Sequence, residues 1–355
     1  MHPYLSAARS LMSSKPNYLI QYVTARCPAR CKMCFYWEEI QSAKRSKELS
    51  LEEFEKIAGN LGPLQQVTLT GGEPFVRKDL PEIASIFDRK NTAQFISIPT
   101  SSILVDQTQE SVREILNVTK NARLVMCLSV DAIGDEHDEI RGYKGCFDAV
   151  VKNYHNMVEL KSIKNFHIKL NMTVSAFNHD MVDEVVEYAR KEFPEAAFNF
   201  NFTRGNPMVP ESSDIGVEEY RRVVRTAREK HNKSMTDFPF ARVLRGLGAT
   251  TYEIIEERLQ SDERKMPCTA GTKMLVISET GVVKPCEILG KEFGNLRDFD
   301  YDLNKLLGEP EPQSICQHIK DKKCSCTFEN AILNSTMTYP KIWPKLVKNI
   351  VQTNI

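Results

Sequence analysis

The sequence predicts an α/β fold: a partial barrel of six strand-and-helix units followed by a small cysteine-rich C-terminal extension of a β-hairpin and helices. Three observations carry this. From Asn17 to about Thr203, short β-rich apolar runs alternate with longer amphipathic segments, the pattern of strand, crossover helix and parallel strand. After Gly216 the pattern turns helical, and from Pro267 onward the cysteines crowd together at Cys268, Cys286, Cys316, Cys324 and Cys326.

The six strands are expected at Tyr18 to Val23, Gln66 to Thr70, Gln94 to Pro99, Leu124 to Val130, His167 to Val174 and Ala197 to Thr203. Between them, Ser50 opens a helix to Asn60, with Glu53 completing a capping box. Further helices are read at Leu80 to Asp88, Thr108 to Asn117, Phe147 to Leu160 and Met181 to Glu192. Right-handed crossovers place such helices outside a curved parallel sheet. Reactive groups then gather at the C-terminal strand ends, so the loops after the first, second and fourth strands share one rim.

Beyond the barrel, Val217 to Lys230 and Thr250 to Gln260 read as helices, and Lys273 to Ser278 and Val282 to Lys284 as strands joined at Glu279-Thr280-Gly281. The expected division is 1–215 for the barrel, 216–266 for a helical connection, 267–335 for the extension and 336–355 for a C-terminal helix. That last segment alternates apolar and basic residues at near-helical spacing, which predicts an apolar stripe packed on the body.

A chain of 355 residues that is 41% hydrophobic and 26% charged can bury a large core. Lys and Arg total 47 and Asp and Glu total 47, so no basic field gathers nucleic acid or anionic membrane. No apolar stretch approaches the roughly 20 residues of a membrane span, and Met1 to Pro16 lacks the marks of a signal peptide. A cytoplasmic protein is expected. Its ten cysteines are then metal ligands or free thiols rather than a disulfide framework.

Cys27-Pro-Ala-Arg-Cys31-Lys-Met-Cys34 offers three thiolates on one loop. Thiolates select soft centres such as iron-sulfur clusters or zinc. With no fourth cysteine or histidine nearby, a structural zinc site looks unfinished, whereas a cubane keeps one iron open for an outside ligand.

This spacing after the first strand, with Gly71-Gly72-Glu73-Pro74 after the second, resembles the radical S-adenosylmethionine (SAM) superfamily. The resemblance implies a partial (β/α)6 radical SAM barrel in which Cys27, Cys31 and Cys34 hold a [4Fe-4S] cluster. It implies that the open iron chelates SAM, that reduction yields methionine and a 5′-deoxyadenosyl radical, and that the radical removes a hydrogen atom from a substrate. Met33 stands where the family usually has an aromatic residue, with Phe35 or Tyr36 available instead. Gly71 and Gly72 are expected to let backbone approach SAM, and Glu73 to meet its ammonium. Ser129 and Asp131 are candidates for the ribose, Arg141 for the SAM carboxylate, and Asn171, Thr100 and Ser101 are weaker candidates. Cys127 has the parity of Ser129, which would point it inward, but as a lone strand cysteine it is expected in the core, and Arg204 and Asn206 either reach substrate or structure their loop.

Cys268 and Cys286, with Cys324-Ser-Cys326-Thr-Phe-Glu-Asn330, resemble the SPASM/Twitch extension of many radical SAM enzymes. The resemblance implies auxiliary clusters. Asn330, where a further cysteine often stands, argues for one auxiliary [4Fe-4S] cluster held by Cys268, Cys286, Cys324 and Cys326, with Cys316 a spare or a replacement. A zinc ribbon from the same cysteines, and hence a non-catalytic zinc-binding protein, is the alternative from another class. A reducing partner such as flavodoxin or ferredoxin is implied. Only 26 residues precede Cys27, short of the leader-binding domain of peptide-modifying relatives. Both a peptide and a small molecule, the latter including a sugar or lipid alcohol to be oxidised, therefore remain as substrates, with the auxiliary cluster in electron transfer.

Overall fold

The computed structural model describes residues 15–163, 165–231, 241–261, 264, 266–321, 324 and 326–352. Six parallel strands form the barrel wall in chain order: β1 (Tyr18–Thr24), β2 (Gln66–Gly71), β3 (Phe95–Thr100), β4 (Arg123–Ser129), β5 (Phe166–Val174) and β6 (Ala197–Phe202). The helices α1 (Trp37–Ser42), α2 (Leu51–Asn60), α3 (Leu80–Asn91), α4 (Val105–Val118), α5 (Gly134–Arg141), α6 (Cys146–Val158) and α7 (Val182–Glu192) lie in the connections. After β6 come α8 (Val217–His231), α9 (Ala241–Gln260), β7 (Met274–Ile277), β8 (Val282–Lys284) and β9 (Gly294–Asn295). The chain closes with α10 (Leu303–Gly308), α11 (Pro310–Lys320), α12 (Glu329–Thr338) and α13 (Trp343–Gln352).

The strand alternation decides where the core sits. On β5, Phe166, Ile168, Leu170, Met172 and Val174 are buried, whereas His167, Lys169, Asn171 and Thr173 between them are half-buried. The apolar set faces the outer helices and the polar set faces inward, as on β2, where Val67 and Leu69 alternate with Gln66, Thr68 and Thr70. A closed β/α barrel fills its middle with branched side chains. Here the middle is a cavity of about 320 Å³ lined by polar as well as apolar side chains, and the core lies between the sheet and its outer helices.

The capping box of α2 forms as expected: Glu53 N donates to Ser50 Oγ at 3.3 Å, and Ser50 N donates to Glu53 Oε2 at 2.7 Å. Arg297 and Tyr301 of the extension also donate to Glu53 Oε1, at 2.6 and 2.7 Å.

Three differences from the sequence reading have physical causes. The extension's hairpin does not stand apart: β7 pairs in parallel with β1, with Tyr18 opposite Met274, because β1 otherwise leaves one edge unpaired. The order is therefore β6-β5-β4-β3-β2-β1-β7-β8-β9. The segment Gly134–Arg141, read as a loop, is helical; its one buried aliphatic side chain, Ile140, gives no periodic signal. Within the expected C-terminal helix, 336–355, the helix is the shorter α13 (Trp343–Gln352), set off from α12 by a turn at Pro340–Ile342. Its stripe is only partly covered: Asn349 bonds Thr250 and Lys345 pairs with Glu257 on α9, but Trp343, Val347 and Val351 stay exposed. Among the described residues no helix is long and apolar enough to cross a membrane.

Candidate functional site

Cys27, Cys31 and Cys34 follow β1 and all three line the cavity at its C-terminal rim. The loop is pinned from several sides. Arg30 N and Lys32 N donate to the carbonyls of Arg141 and Ile140 at 3.1 and 3.0 Å, and Met208 N donates to Cys34 O at 3.0 Å. Gly72 N and Glu73 N donate to Thr24 O and Arg26 O at 2.8 and 2.9 Å.

That last contact explains the glycine pair. A Cβ on Gly71 would stand 2.0 Å from Thr24 O, and Gly71 has φ +147°; a Cβ on Gly72 would stand 2.4 Å from Arg26 O. Both glycines line the cavity, but their missing side chains first of all admit the cysteine loop. Gly71→Ala is therefore expected to cost at least about 2 kcal/mol and to reduce iron uptake, measured by thermal unfolding of the apo chain and by iron analysis after reconstitution.

Burial pushes the thiols of Cys27 and Cys34 up to about 12, and raises Cys31 as well. Each sulfur is nevertheless supplied with donors that favour its anion: backbone N–H from Ala29 to Cys27 and from Tyr36 to Cys34, and the Arg141 guanidinium at 3.8 Å from Cys31 Sγ. Three thiols that are neutral alone but equipped as thiolates fit a cationic centre. Among the described residues, no three His, Cys, Asp or Glu side chains converge as one ion requires. Three thiolates on one loop, with no fourth cysteine or histidine in it, suit a cubane that keeps one iron open better than a four-ligand zinc site.

The remaining expected SAM contacts divide. Ser129, Arg141 and Asn171 line the cavity. Glu73 does not: its carboxylate is 1% exposed and accepts from Thr100 Oγ1 at 2.8 Å, Ser101 N at 2.8 Å and Ser101 Oγ at 2.5 Å. It ties the β2 turn to the β3 turn instead of facing a ligand ammonium. Asp131 likewise lies past the end of β4, fully buried, with Oδ2 2.5 Å from Arg141 Nε and Oδ1 accepting from Thr173 N at 2.8 Å. Strand alternation with Ser129 does not extend to it, and its role is to hold Arg141 at the cysteine loop. Asn171 Oδ1 accepts from Asn199 and Asn201 at 2.9 and 3.0 Å.

Cys127, expected in the core, lines the cavity with its sulfur 3.4 Å from Ser97 Oγ. Arg204 lines it too, paired with Glu287 at 3.0 Å and with Glu329, while the carbonyl of Asn206 accepts from Trp37 Nε1 at 3.2 Å as a loop brace. Sequence reasoning missed Glu287. Its Oε1 accepts from Tyr22 Oη at 2.6 Å, and Tyr22 stacks on Tyr36 at 4.3 Å between centroids. The available signal was its place next to Cys286.

In the extension, Cys268, Cys286, Cys324 and Cys326 lie close enough for their charges to act on one another. Burial pushes Cys286 up to about 12, opposed by the backbone N–H groups of Ile288 and Leu289. Two buried arginines reach the set: Arg258 donates to Cys326 O at 2.6 Å, and Arg264 lies 3.5 Å from Cys324 Sγ. Cys316 stands apart, its sulfur against the Gly271 carbonyl at 3.5 Å. Asn330 faces the barrel cavity.

Residues 22–189 match the family described as the radical SAM superfamily. Fe-coproporphyrin III synthase of Methanosarcina barkeri is 28% identical over 235 residues, 61% of this chain and 55% of that protein. The subtilosin biosynthesis protein AlbA of Bacillus subtilis is 28% identical over 319 residues, 85% of this chain and 63% of that protein. The chain thus spans less than two thirds of the length of either relative. In fold it is similar to anSMEcpe solved with AdoMet and a Cp18Cys peptide, at a TM-score of 0.59 and 14% identity over 95% of this chain and 99% of that one. With the cysteine loop, the glycine turn and the six-stranded wall in this order, residues 22–189 form a domain of the radical SAM superfamily, whose cofactors are SAM and a [4Fe-4S] cluster.

Proposed function

We propose that the chain is a radical SAM oxidoreductase or maturase that removes a hydrogen atom from a peptide side chain held in the barrel cavity. The observation that carries this is the opening of Cys27, Cys31 and Cys34 onto the same cavity as the inner faces of β2 to β6. When bound, the cluster and SAM supply the 5′-deoxyadenosyl radical that abstracts the hydrogen. The chain's own residues do the rest. Arg141, fixed by Asp131, offers a cation at the rim for a carboxylate. Ser129 and Asn171 offer neutral polar groups for the ribose, and Met33 packs beneath as an apolar surface. Glu287 is a carboxylate facing the cavity beside Cys286, placed to take a proton from the oxidised substrate. A peptide is favoured over a small molecule by the likeness to AlbA over 85% of this chain.

Cys268, Cys286, Cys324 and Cys326 are proposed to hold one auxiliary [4Fe-4S] cluster of the SPASM/Twitch type, which would supply an electron acceptor beside the cavity. Cys286→Ser is expected to remove about four irons from the reconstituted protein, and Cys316→Ser none. Zinc in place of iron would reject this assignment. For the function itself, the test is anaerobic reduction of the reconstituted protein with SAM: 5′-deoxyadenosine and methionine are expected, and their absence overturns the reading.

A further inference from the structure

The cations of the cavity wall differ in their surroundings. Arg141 is matched by the buried carboxylate of Asp131, and Arg204 by those of Glu287 and Glu329. Lys169 on β5 lines the same cavity, and among the described residues its side chain has neither a hydrogen bond nor an ion pair. It stands five residues before the C-terminal end of β5 at Val174, about 16 Å below the rim along the strand. The register sets Cys127 beside it on β4 and the small Ala197 beside it on β6. Neutral hydrogen-bonding groups surround the floor: Gln66, Thr68 and Ser97 across the cavity and Asn199 on β6.

A half-buried ammonium on the cavity wall with no carboxylate beside it attracts an anion that enters the cavity. A barrel interior that needed only filling would carry an apolar residue there. Burial raises the neighbouring Cys127 thiol and the Lys169 charge opposes that rise, so the ammonium's field reaches into the cavity.

We propose that Lys169 is the anchor of a substrate-anion site, binding a carboxylate or phosphoryl group at the cavity floor while Gln66, Thr68, Ser97 and Asn199 complete its hydrogen bonds. A lysine is a point charge and takes either anion; the ring of neutral donors supplies the rest of the coordination. The substrate then enters with an acidic group leading, which leaves the carbons above it level with the rim. The assignment rests on the reading of this cavity as the substrate chamber.

The probes are glutarate, inorganic phosphate and glutaramide, the neutral counterpart of glutarate, titrated calorimetrically into reconstituted protein already saturated with SAM. Glutarate or phosphate is expected to bind at least about tenfold more tightly to the wild type than to Lys169→Met, with Lys169→Arg close to the wild type and glutaramide indifferent to all three. Preference for glutarate assigns a carboxylate, and preference for phosphate a phosphoryl group. Failure of both anions to bind, or binding that survives Lys169→Met, overturns the site. So does glutarate binding that SAM abolishes, since Lys169 would then serve SAM.

A second measurement does not depend on a variant that folds. Alkylation at Cys127, followed by peptide mapping, is expected to favour iodoacetate over iodoacetamide several-fold more than glutathione does. A ratio at or below that of glutathione overturns the proposal. Protein that forms 5′-deoxyadenosine but binds neither anion loses this site alone; protein that binds glutarate but leaves SAM intact loses the radical reading alone.

Discussion

Cys31→Ala is expected to lower 5′-deoxyadenosine formation by at least about 100-fold and to remove about four irons per chain, leaving those of the extension. Cys31 is the middle ligand of the proposed set. Its sulfur is the one beside the Arg141 guanidinium, at 3.8 Å, and its loop is stitched to the Arg141 and Ile140 carbonyls on either side. Removing it leaves two thiols, each raised to about 12 by burial and without a third to share the metal charge. The fitting control is Cys146→Ala. Cys146 also lies near Arg141, yet it is buried away from the cavity with its sulfur on the Ser101 carbonyl at 3.4 Å. Iron content and anaerobic SAM cleavage are expected to survive that change. Equal loss in both variants would mean that the loop tolerates no cysteine removal near Arg141, and would withdraw Cys31 as a ligand.

The sequence carried the barrel because short β-rich runs alternate with helix-sized neighbours; the period of two is clear in β2, β3 and β5, whereas β1 is buried throughout. The positions of β1 to β6 match the sequence reading to within a residue or so at each end. The cysteine loop and the glycine turn were legible as spacing. Orientation was not. Glu73 and Asp131 were read as ligand contacts because they are acidic and sit at strand ends; both are buried struts, one under Thr100 and Ser101 and the other under Arg141. A single sequence shows that a carboxylate is at the rim but not which of its neighbours are close enough to claim it. Cys127 was assigned to the core on the habits of lone cysteines, and only the cavity reveals that its face of the sheet is polar. The pairing of β7 with β1 was hidden for a different reason: the partners are more than 250 residues apart, and the edge they satisfy exists only once the barrel has formed.

Asp131→Ala is expected to be the most destabilising single change in the barrel, at about 3–5 kcal/mol, because it strands a buried guanidinium. Asp131 is fully buried, with one oxygen on Arg141 Nε and the other on Thr173 N, while its own carbonyl accepts from Asn178 Nδ2 at 2.9 Å. Its neighbour cannot compensate: burial lowers His137 to about 3, so the ring stays neutral, and its Nδ1 already accepts from Asp131 N at 3.1 Å. A fall of about 5–10 °C in the apo melting temperature is expected. The double replacement Asp131→Leu with Arg141→Met separates fold from function, since a buried ion pair exchanged for apolar groups of similar size often costs little. That variant is expected to recover at least half of the lost stability, measured by the same melt, while SAM affinity stays reduced at least about tenfold, because the rim has lost its cation. If SAM binding returned with stability, Arg141 would be a structural partner of Asp131 alone. If neither returned, the pair would be setting the shape of the cysteine loop through the backbone bonds of Arg30 and Lys32 to α5, and the charge at 3.8 Å from Cys31 would be secondary to the position it enforces.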